Sequence, residues 1–62
     1  MLKIGDMVVV YLREPDTTPV KMVFGGFMQG GGVEWLCLED ETRESYILVD
    51  KIASINKIKG AQ

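Results

Sequence analysis

Nucleophilic catalysis usually pairs a thiol or hydroxyl with a base that activates it. This chain of 62 residues has one cysteine, Cys37, and no histidine. Neither a Cys-His nor a Ser-His-Asp set can be assembled from it. One thiol without histidine cannot make a zinc site of the usual type, and one cysteine cannot form an internal disulfide. The carboxylates Glu39, Asp40, Glu41 and Glu44 lack the spacing and central glycine of an EF-hand loop. They read as a solvated hairpin turn. The expectation is a chain without catalytic residues, metal or cofactor, and without catalysis of its own.

The stretch Phe24 to Trp35, FGGFMQGGGVEW, holds five glycines in the eight residues from Gly25 to Gly32. A Walker phosphate loop needs a lysine and a hydroxyl after its last glycine, and neither is present. A dinucleotide-binding glycine motif must open a helix, whereas VEWLCLE follows here. Gly25-Gly26 inside a β-rich run instead reads as a bulge or sharp bend. Gly30-Gly31-Gly32 reads as a hairpin turn that needs positive φ.

Five side chains remain as candidates for binding: Phe24, Phe27, Met28, Trp35 and Tyr46. Aromatic residues and methionine are enriched at interface cores. Cys37, two residues from Trp35 and on the same face of its strand, reads as a small apolar residue.

The elements that must position these residues read as strands. Met7 to Arg13 (MVVVYLR) is rich in valine, and Glu14 to Pro19 (EPDTTP) is a loop of turn-forming types. Val20 to Phe24 is a second strand, which Phe27 and Met28 continue past the bend. Val33 to Glu39 is a third and Ser45 to Val49 a fourth. Asp50-Lys51-Ile52 reads as one 3₁₀ turn, with Asp50 as a capping residue, and Ala53 to Ile58 as the fifth strand. Residues 59–62 should fray. Five short strands with frequent turn signals predict a small all-β barrel, mostly antiparallel, as a single domain.

Alternation along these strands carries the functional reading. Met7, Val9 and Tyr11 oppose Val8, Val10 and Leu12; Val33, Trp35 and Cys37 oppose Leu36 and Leu38; Tyr46 and Leu48 oppose Ile47 and Val49. Three strands are apolar on both faces, and one interior can bury only one set. The surplus set predicts an interface, and so a homo-oligomer or a protein partner.

Composition sets the outer bounds. Hydrophobic residues make up 47% and charged residues 26%, as in a globular chain. The net charge is -2, with lysines and arginines scattered apart from Lys51, Lys57 and Lys59. That balance argues against a nucleic-acid footprint, which draws on clustered basic charge. No apolar run reaches the ~18 residues of a membrane span, and MLKIGDMVVV does not read as a signal peptide. A cytoplasmic protein is expected.

Ile4-Gly5-Asp6-Met7-Val8 at the entry and Tyr46 to Ile55 at the exit together resemble SH3-like and Sm-like small β-barrels. Such barrels often open with a G-D-x-V turn and close with a strand, a 3₁₀ turn and a short last strand. The resemblance covers nearly all of the chain and implies a five-stranded SH3-like barrel. Sm-like proteins form RNA-binding rings, which makes a nucleic-acid-binding barrel the alternative reading. Plasmid-type dihydrofolate reductases are similar at both ends and imply a further alternative, an oligomer with a small-molecule site at the subunit interface. Their pore carries Val-Gln-Ile-Tyr where this chain has Ser45-Tyr46-Ile47-Leu48, so only the fold carries over from them.

Overall fold

The computed structural model describes residues 1–59 of the chain. Five strands are present: β1 (Met7–Leu12), β2 (Val20–Gly30), β3 (Val33–Glu39), β4 (Glu44–Leu48) and β5 (Ile52–Lys57). A 3₁₀ turn, Val49–Lys51, joins the last two. All pairings are antiparallel, in the order β4-β3-β2-β1-β5. No ladder among the described residues joins β4 to β5, so the sheet has two edges and is not closed by hydrogen bonds.

The all-β class, the five strands and the 3₁₀ turn match the sequence reading. Several boundaries do not. β1 ends at Leu12 rather than Arg13, whose N–H leaves the ladder and donates to the Lys51 carbonyl at 2.9 Å. β2 is one continuous element of 11 residues through both glycines. β4, the 3₁₀ turn and β5 each start one residue earlier than expected. Asp50 lies inside the 3₁₀ turn and caps nothing there; the Ile52 N–H closes the turn on the Val49 carbonyl. The fraying expected over 59–62 falls outside the described residues, apart from Lys59.

The core is small. Val8, Val10, Met22, Phe24, Leu36, Leu38 and Ile52 are buried, with Leu12, Val20, Ile47 and Ile55 packed around them. Val8, Val10 and Leu36 are fully enclosed. One face of a flat sheet cannot enclose a side chain fully, so the sheet must curl around this face. β2 makes the curl possible. Its first half pairs with β1 and its second half with β3, and the register slips by one residue between Phe24 and Phe27. Gly26 has φ +98° at this bulge, a conformation closed to most L-residues. A Cβ on Gly25 would lie 3.2 Å from the Cys37 carbonyl oxygen, a tight contact that β3 would relieve only by giving way by a few tenths of an ångström.

The Gly5-Asp6 turn braces the same bend. The Gly5 N–H donates to the Phe24 carbonyl at 2.9 Å, and the Phe24 N–H donates to the Asp6 carbonyl at 2.7 Å. The Asp6 carboxylate accepts the Lys3 N–H at 2.8 Å and pairs with Lys57 at 3.6 Å. At the far end of β2, Gly30 opposes Val33, leaving Gly31 and Gly32 as a two-residue loop with φ +63° and +82°. Positive φ at both positions is the type I′ hairpin requirement. The glycine run thus divides into a bend and a turn, as its spacing predicts, but Gly30 ends β2 and is not among the positive-φ glycines, so the turn is Gly31-Gly32 alone.

Candidate functional site

Ladder register places the residues on the sheet's outer face, the side away from the core. Met28 opposes Trp35 and Trp35 opposes Leu48, which sets one apolar row across β2, β3 and β4. Cys37 opposes Tyr46 in the next row, beside the bend at Gly25. Glu39 opposes Glu44 in the row after that, with Val23 on the other flank of Glu39. Val33, also on this face, stands at the hairpin end of β3. Tyr46, Met28 and Val33 are 51%, 45% and 43% exposed, and Trp35, Cys37 and Leu48 are half-buried.

Local chemistry holds the patch in place. β3 buries Leu36 and Leu38, so strict alternation turns Trp35 and Cys37 outward. The Tyr46 hydroxyl donates to Glu44 Oε1 at 2.9 Å, which fixes the ring against the strand. That hydrogen bond, with the negative charge of Glu44 beside it, raises the Tyr46 phenol above its ordinary value of 10.0. Asp40 closes the β3–β4 turn by accepting the N–H groups of Thr42 and Arg43 at 2.8 and 3.0 Å. The Thr42 bond in particular holds the Asp40 carboxyl below its ordinary value of 3.8. Two shallow grooves border the patch. One, of about 220 Å³, runs among Gly25, Met28, Cys37 and Tyr46 and ends at Glu39 and Glu44. The other, of similar volume, lies between Val33 and Leu48.

Three of the five candidate residues come together here: Met28, Trp35 and Tyr46. Phe24 does not. It is 5% exposed, inside the core, and so offers nothing to a partner. Phe27 opposes Leu36 and therefore stands on the core side, at the open rim. It is 49% exposed and meets Phe24 edge to face, with centroids 5.5 Å apart. Leu48, Cys37 and Val33 join the patch although they were not among the candidates. Their signal was present in the two-faced alternation of β3 and β4. Glu39 and Glu44, read as part of a solvated turn, sit at the patch's edge.

The described residues contain no group of three or more His, Cys, Asp or Glu side chains placed to hold a metal ion. None of their helices is long and apolar enough to cross a membrane. No protein-family model matches this chain, and no curated protein or solved structure matches it either.

Proposed function

We propose that this chain is an SH3-like small β domain that works by self-association, with copies packing through the outer face of β2, β3 and β4. The carrying observation is the row Met28–Trp35–Leu48 with Cys37 and Tyr46 beside it. These apolar side chains converge from three strands on a face that the core does not use. Contiguous apolar surface of this kind marks an interaction site, and its aromatic and methionine content is that of an interface core.

The core of seven buried residues among those described is small, one cysteine allows no internal disulfide, and association is one way to add buried apolar area. A second copy supplies that area without any other gene product, because a two-fold contact needs only one self-complementary patch.

The test is the mass in solution of Met28→Lys and Tyr46→Lys chains. Both positions are exposed, so both variants should fold, and should melt like the wild type diluted below its assembly range. Each should be monomeric at concentrations where the wild type is a dimer or larger. Wild-type and variant chains of equal mass would overturn the proposal.

A further inference from the structure

Glu39 and Glu44 face each other directly across β3 and β4 on the outer surface. Like charges in that position disfavour strand pairing. The ion pairs among the described residues are Arg43–Asp40 and Lys57–Asp6, and neither involves these two carboxylates. Glu44 has the Tyr46 hydroxyl, which carries no charge. Both carboxylates close one end of the groove whose other walls are Met28, Cys37 and Tyr46. They therefore lie at the edge of the surface that association would cover. Covering two like charges together is strongly opposed unless a counter-charge arrives with the cover.

We infer that a lysine or arginine side chain of a second copy occupies this groove in the assembled state. Its aliphatic stem lies along Met28 and the Tyr46 ring, and its charged head lies between Glu39 and Glu44. Long basic side chains suit such a site, because the stem covers apolar surface while the head stays with the carboxylates. The Tyr46 ring adds a cation–π contact. Lys21 stands on the same outer face, opposite Val9, exposed and without an ion pair among the described residues. A two-fold contact sets each copy's face against the other's, so this face carries both the carboxylates and a cation that can answer them. The inference rests on the reading of the outer face as a self-association surface.

The experiment compares the dissociation constant of assembly for the wild type, Glu39→Gln/Glu44→Gln and Glu14→Gln/Asp16→Asn, by light scattering over a dilution series. The last variant makes the same change in net charge away from the groove. A thermal melt of each below the assembly range confirms folding, and there removal of a repulsive exposed pair should not lower the midpoint. Loss of a partner's cation contact weakens assembly of Glu39→Gln/Glu44→Gln by roughly tenfold or more, with the control close to wild type. If no cation arrives, removing the two charges relieves repulsion instead. Assembly of Glu39→Gln/Glu44→Gln at wild-type strength or tighter therefore overturns the inference and leaves the proposed face standing. A wild type that stays monomeric throughout overturns both.

Discussion

Tyr46 shows what a single side chain contributes to this surface. Its ring is half of the Cys37–Tyr46 row, and its hydroxyl is held by Glu44. Because the neutral phenol is favoured in the folded chain, this contribution to stability is present below the ordinary value of 10.0 and is lost as pH rises through the higher folded value. In a Tyr11→Phe chain, whose one phenol is Tyr46, ultraviolet absorbance should report ionisation above pH 10, and Glu44→Gln should bring it back toward 10. Asp6 and Asp40 have the opposite sign. Backbone N–H groups, that of Lys3 for Asp6 and that of Thr42 for Asp40, hold both carboxyls below 3.8. Their contribution is present above that value and is lost as pH falls through the lower folded values. The thermal midpoint should therefore fall on acidification below about pH 4, and Asp6→Asn/Asp40→Asn should flatten the fall. A midpoint equally steep in that variant would contradict this account. At this scale Trp35 and Tyr46 were legible in the sequence, since β3 and β4 alternate without interruption. Phe24, Phe27 and Met28 were not separable. Plain alternation along β2 would put Phe24 and Met28 on one face and Phe27 on the other. The extra residue in the bulge reverses this, sending Phe27 to the core side and Met28 outward.

Strand β2 is the element on which the arrangement depends. It serves both halves of the sheet, and the bulge at Gly25-Gly26 aims Met28 at the outer row. Gly26→Ala places a side chain at φ +98° and should destabilise by about 1–2 kcal/mol. Gly25→Ala pushes a methyl against the Cys37 carbonyl and should destabilise by about 1–3 kcal/mol. The hairpin responds differently. Gly31 has φ +63° and no atom within 4 Å of a new Cβ, and asparagine before glycine suits a type I′ turn. Gly31→Asn should hold or raise stability by up to about 1 kcal/mol, through the smaller entropy of the unfolded chain, whereas Gly31→Val should lower it. Chemical denaturation of these four variants measures all the effects. Bend and turn were legible because glycine at those spacings has few other uses. The extent of β2 was less so, because glycine reads as a strand breaker unless the pairing partners on both sides are known. The Gly5-Asp6 turn was visible as a turn, but its hydrogen bonds to Phe24 join residues far apart in the chain and leave no local signal.

For the whole molecule, strand order and core are those of a small all-β domain, and the unusual feature is the second apolar face. The sequence showed that a surplus face must exist, because three strands carry apolar residues on both sides. It did not show which rows of it would meet, since that depends on the register of three ladders. Cys37 offers a probe at its centre, half-buried in the single chain. Its alkylation by a maleimide should slow as protein concentration rises through the assembly range, and Tyr46→Lys should abolish that protection. The most direct measurement of the account is sedimentation velocity of the wild-type chain across a dilution series at neutral pH. A dimer or larger species that dissociates on dilution is the predicted result. A folded species at the mass of 6.9 kDa throughout the series would contradict it.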